Sequence, residues 1–103
     1  VNSIHLTENQ IIEKIIQIIK DHLHPRQIIL FGSRAMGTSR EYSDFDIALE
    51  SEEMDIRQER ILKEALDNDL GIYAVDLINL KNVDDEFKNL LLEKGKVIYE
   101  HLR

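Results

Sequence analysis

The change of hydrophobic period across Pro25 constrains this chain more than any other feature. Before it, Ile12, Ile15, Ile16, Ile19 and Leu23 recur at helical spacing, with Ile11 and Ile18 widening the stripe. After it, Gln27 to Gly32 (QIILFG) is a short, β-branched, apolar run that reads as a buried strand. Pro25 biases His24 away from helical geometry and so ends the helix. Thr7 followed three residues later by Gln10 has the form of a capping box, which places the helix from Thr7 to about Leu23. Its isoleucines either pack on the chain's own sheet or form a face for a partner or a second copy.

The later segments continue the alternation. Ser33 to Gly37 is expected to be a turn or short helix, followed by a polar loop from Thr38 to Ser43. Asp44 to Glu50 (DFDIALE) reads as a second strand, with Asp44, Asp46 and Ala48 on one face and Phe45, Ile47 and Leu49 on the other. Asp55 to Leu70 is a charged amphipathic helix with Ile56, Ile61, Leu62, Ala65, Leu66 and Leu70 inward and Gly71 as its stop. Glu59 and Lys63 on its outer face have the spacing of a supporting ion pair. Tyr73 to Leu80 (YAVDLINL) is a third strand, Asp84 to Lys94 a third long helix closed by Gly95, and Lys96 to Tyr99 a last strand or a docked tail. One domain over 1–103 is expected. Its class is α+β, an α/β sandwich in which helices cover a small mixed sheet of three to four strands.

Charge excludes more than composition does. The chain carries 20 acidic against 13 basic residues, a net charge of −7, whereas a protein riding on nucleic acid usually presents a basic face. No direct nucleic-acid partner is expected, and no apolar run approaches the ~18 residues of a membrane span. The chain has no cysteine, so disulfides and thiolate metal sites are excluded; a cytoplasmic setting follows by elimination. Val1 rather than Met leaves open whether residues precede it.

Two neighbouring features carry chemistry. Gly32 and Ser33 lie where a buried strand turns into a helix-like segment. There glycine admits close backbone approach, and N–H groups with a hydroxyl can bind phosphate oxygens, Arg34 adding charge. Asp44 and Asp46 flank Phe45 and point to one side of a strand, ~7 Å apart at Cα. Their repulsion is of order 2 kcal/mol at an effective dielectric near 20, which invites a cation. All-oxygen donors suit Mg²⁺ or Mn²⁺. Taken alone, Gly-Ser is a common turn and Asp-x-Asp a solvated strand end. Asp76 changes the reading, because it interrupts an apolar strand where a charge is expensive unless bound to a metal or paired with an arginine. Three carboxylates beside a phosphate cradle have the makings of a two-metal phosphoryl-transfer site.

Gly32-Ser33, ten residues, then Asp44-Phe45-Asp46 resembles the signature of the DNA polymerase beta-like nucleotidyltransferase superfamily. The fuller string GSRAMGTSREYSDFDIAL, with Arg34, Gly37 and Ser43, is similar to its minimal nucleotidyltransferase (MNT) branch; Asp76 in VDLINL and the segment EKGKVIYE also match. The resemblance covers about residues 10 to 100 and implies the nucleotidyltransferase fold. It implies that Asp44, Asp46 and Asp76 hold two Mg²⁺ ions, and that Gly32, Ser33, Arg34 and Ser43 bind the nucleotide, ATP. It further implies a partner: short MNT proteins resemble the antitoxin half of toxin–antitoxin pairs (type VII-like), which move AMP onto a tyrosine of a HEPN-domain ribonuclease toxin. The competing reading is a binding module that silences its partner by steric cover.

His5, His22, His24 and His101 lie near helix or chain ends and are expected on the surface. Tyr42 is placed either to stack on a base or to pack, and Tyr73 and Tyr99 to pack in the core or at an edge.

Overall fold

The structure, a computed structural model, describes residues 6–52 and 54–101. His5 lies outside the described residues. The first helix, α1 (Glu8–His22), starts at the expected capping box. Thr7 Oγ1 accepts from the Gln10 N–H at 3.1 Å, and Gln10 Oε1 accepts from the Thr7 N–H at 2.8 Å. Two of the donors orphaned at a helix start are thereby satisfied. Strand β1 (Gln27–Phe31) follows Pro25, then the four-residue α2 (Ser33–Met36), β2 (Phe45–Glu50), α3 (Ile56–Leu70) and β3 (Val75–Asn79). A 3-10 turn (Leu80–Asn82), α4 (Asp85–Lys94) and β4 (Lys96–Glu100) complete the order.

The sheet runs β3-β2-β1-β4. β1 is antiparallel to both β2 and β4, while β2 and β3 are parallel, with α3 as the crossover that parallel neighbours require. This is the mixed, helix-covered sheet expected of an α+β chain, and KVIYE is a paired strand rather than a loose tail. The ends of β1, β2 and β3 that carry Gly32, Asp44 and Ala74 lie together, since Phe31 opposes Asp46 and Phe45 pairs with Val75.

The two faces of the sheet are covered unequally. On one, alternate residues such as Ile28, Leu30, Phe45 and Ile47 join α1 and α3 in a single core. Ile11, Ile15, Ile18 and Ile19 are buried in it, and Ile12 and Ile16 pack against it. The isoleucine stripe therefore serves the chain's own sheet. The other face carries a much smaller cluster, Ile29 and Ala48 with Leu80 of the 3-10 turn and Leu91 of α4. Beyond that cluster the second face is open, and it is there that β2 and β3 present Asp46 and Asp76.

Several expectations need correction. Ile56 is 86% exposed and Ile61 39%, because the inner stripe of α3 follows Leu62, Leu66 and Leu70, four residues apart, and leaves both outside it. Lys63 does not serve Glu59; its Nζ donates to the Val75 carbonyl at 3.1 Å, tying α3 to the start of β3. β3 stops at Asn79 rather than Leu80, since the buried Asn79 side chain accepts from the Lys81 N–H and donates to the Met54 carbonyl. His22, His24 and His101 are exposed, as expected. Among the described residues no helix is long and apolar enough to cross a membrane.

Candidate active site

Gly32 is the pivot between β1 and α2. Its φ of 72° and ψ of −154° belong to a region that favours glycine, and space makes the same demand. A Cβ at Gly32 would overlap the Asp46 carboxylate oxygen Oδ2. The missing side chain is thus what lets Asp46 lie against the backbone where α2 begins. The Ala35 and Met36 N–H groups bond back to the Gly32 carbonyl, both at 3.1 Å. The Ser33 and Arg34 N–H groups, first in the helix, take no part in those bonds and remain the donors a helix start leaves over.

Asp46 and Asp76 are register partners across the parallel β2–β3 pair, so their side chains share a face. Asp44 is the residue before β2 begins and is exposed. Burial pushes the Asp46 carboxyl above the ordinary Asp range; the charges of Asp76 and then Asp44, and a side-chain hydrogen bond with Asp76, push it the same way. The three acids therefore act on one another, as the sequence suggests. The argument from burial at Asp76 does not survive, however: Asp76 is exposed, because β3 is an edge strand and α4 does not reach this part of the face. Its charge is solvated, and no arginine is needed to pair it.

Among the described residues no three acidic or histidine side chains are already closed around a common point that could hold a metal. The donor set nevertheless fits a hard divalent ion. It is all carboxylate oxygen, and Asp46 is raised by burial and by the negative charges of Asp76 and Asp44, which a bound cation would offset.

Arg34 and Ser43, expected to bind nucleotide, both make contacts within the chain. The Arg34 guanidinium is buried and turned into the protein. Nη1 pairs with Glu8 Oε2 at 3.1 Å, Nη2 donates to the carbonyls of Glu41 at 3.0 Å and Ser43 at 2.8 Å, and Cζ lies 4.2 Å from the centre of the Phe45 ring. Ser43 Oγ accepts from the Arg40 N–H at 2.8 Å and closes the loop before Asp44. Tyr42, 56% exposed, leans on Tyr73 with ring centres 6.1 Å apart, and Tyr73 meets Phe45 edge-on. Sequence reasoning missed Glu8: it lies 26 residues from Arg34, and no local pattern joins them.

Residues 13–103 match the family described as Polymerase beta, Nucleotidyltransferase. A probable protein adenylyltransferase of Haemophilus influenzae, MntA, is 33% identical over 88 residues, which cover 84% of this chain and 77% of that protein. A Methanocaldococcus jannaschii protein named for the same activity is 34% identical over 91 residues, 85% of this chain and 90% of that protein. Among solved structures, a chain of a toxin–antitoxin crystallised with AMP-PNP superposes with a TM-score of 0.75 at 28% identity, covering 86% of this chain and 73% of that one. A match across nearly the whole chain and relatives above 30% identity agree with the fold, and the chain belongs to the polymerase beta nucleotidyltransferase family.

Proposed function

We propose that this chain is a protein adenylyltransferase that moves AMP from Mg-ATP onto a tyrosine hydroxyl of a HEPN-domain toxin, and so acts as the antitoxin of a pair. One observation carries the chemistry: Asp46 lies in register with Asp76 while its carboxylate rests against Gly32, which joins the acids to the phosphate turn. Gly32 and the N–H groups and hydroxyl of the Ser33 turn bind the β- and γ-phosphates. Asp44, Asp46 and Asp76 would hold the divalent ions, two Mg²⁺ or Mn²⁺, which would supply positive charge to offset the negative charge developing on the transferring phosphoryl group. Asp76 takes the proton of the acceptor hydroxyl at its carboxylate. The acceptor oxygen forms a bond to the α-phosphorus as the bond to the bridging oxygen breaks, and pyrophosphate leaves from Gly32 and Ser33.

Exposure favours a macromolecular acceptor. Asp76 sits on an edge strand of an open face, where a tyrosine on another protein reaches it without entering a cavity. The named activity of the two relatives supports AMP transfer, and the AMP-PNP in the toxin–antitoxin structure, an ATP analogue, supports ATP as donor. A second reading, neutralisation by steric cover, is favoured by a groove of about 290 Å³ next to Gly32, where Met36, Phe87 and Leu90 expose apolar surface.

Incubation of the chain with ATP, Mg²⁺ and the protein encoded beside it, followed by intact-mass measurement of that neighbour, separates the two. Mass gains in whole AMP units, lost with Asp44→Asn and Asp46→Asn, are expected. A neighbour that is inhibited yet unmodified would leave only the steric reading.

A further inference from the structure

We propose that Arg34 is a positioning residue whose guanidinium holds the residues on both sides of Asp44, by the Ser43 carbonyl and the Phe45 ring, and so fixes where that carboxylate stands. Asp44 needs such a device. It lies outside β2, is exposed, and follows a polar loop. Residues inside a strand are held by the ladder, whereas the residue just before it is held only by its neighbours. Arg34 grips both of them. Nη2 takes the Ser43 carbonyl at 2.8 Å, the peptide that leads into Asp44, and the guanidinium plane lies 4.2 Å from the Phe45 ring, the residue that follows. The same Nη2 also donates to the Glu41 carbonyl at 3.0 Å, which anchors the loop two residues earlier.

The other end of the clamp is as well fixed. Arg34 is in α2 directly after Ser33, so the phosphate turn and the Asp44 backbone are joined through one side chain. Nη1 pairs with Glu8 in the first turn of α1, which orients the guanidinium from outside. Nε alone among its donors is buried without a partner among the described residues. Arginine suits this role and lysine does not: a planar fork can hold two carbonyls, a carboxylate and a ring face together, while an ammonium is a point charge.

The proposal rests on the transferase reading for what Asp44 does, and on geometry alone for how it is held. Its test therefore has two readouts on the full chain. Backbone ¹⁵N relaxation should give rigid order parameters of about 0.85 at Ser43 and Asp44 in the wild type, falling below about 0.6 in Arg34→Lys while Ile47 and Leu49 stay rigid. Unchanged values at Ser43 and Asp44 overturn the proposal. If Arg34→Lys does not fold, Glu8→Ala at the exposed arm of the clamp decides by the same measurement: loosening at Asp44 supports it, none overturns it. In the transfer assay, Arg34→Lys is expected to lower kcat by up to ~10²-fold, the scale of a small misplacement, with KM for Mg-ATP little changed. A raised KM with kcat retained would make Arg34 a phosphate ligand and overturn the proposal. Absence of transfer by the wild type would remove the transferase reading, and relaxation would still decide this one.

Discussion

Asp46 is where structure and chemistry oppose each other most directly. Its carboxyl is raised by burial and by Asp76 and Asp44, so the folded chain binds that proton more tightly than the unfolded chain, whose value is near 3.8. Between those values the folded state carries more protons, and metal-free stability falls as pH rises through the window. Asp46→Asn should abolish that slope and raise metal-free stability at neutral pH by about 0.5–2 kcal/mol, the gain usual for removing unfavourable charge. Chemical denaturation at several pH values checks both. Transfer by the same variant should fall at least ~10²-fold, as expected when a charge-stabilising group is lost. The acids and the glycine turn were legible in the sequence because strand alternation puts Asp44 and Asp46 on one side and because Asp76 breaks an apolar run. The environment of Asp76 was not. Whether a strand lies at an edge depends on pairing order, and no spacing within YAVDLINL encodes that. The partners of Arg34 were illegible for a related reason, since its neighbour in sequence is the phosphate turn but its partners in space are Glu8, Glu41, Ser43 and Phe45.

At the level of elements, the helix and strand order followed from periodicity, Pro25 and the caps, with ends shifted by one or two residues. The placement of α4 did not follow, because it depends on a contact at Gly95 that only the fold reveals. A Cβ there would stand 2.6 Å from the Leu91 carbonyl oxygen and 2.7 Å from Ile29 Cγ2, so the α4–β4 junction presses its backbone directly on β1. Gly95→Ala should lower stability by about 1–3 kcal/mol, the usual range for overpacking. The loss is expected in denaturant midpoint, with KM for ATP unchanged, because Gly95 touches the small cluster and not the acids. The short α4 face has a second effect. Its cluster takes in Ile29 and Ala48 with Phe31 and Ile78 at its margin, and leaves Asp46 and Asp76 outside it.

For the molecule as a whole, unequal coverage of the sheet sets the response to ligand. One face holds nearly all the core, and the other carries uncompensated acid in a chain of net charge −7. Mg²⁺ with ATP should therefore raise Tm, by about 2.7 kcal/mol of stability at a hundredfold excess over Kd. The shift should vanish in Asp44→Asn/Asp46→Asn, read by thermal denaturation with and without EDTA. Among the described residues strand β3 has β2 as its sole sheet neighbour, and its ends are tied down by the Lys63–Val75 and Asn79–Met54 bonds. Edge elements open at lower free energy than a core, so the third acid is mounted on a part that can fray while α1, β1 and β2 stay folded. Warming would then disarm the molecule before melting it, and a partner bridging β3 would act as a splint, restoring the missing carboxylate by holding the strand in place.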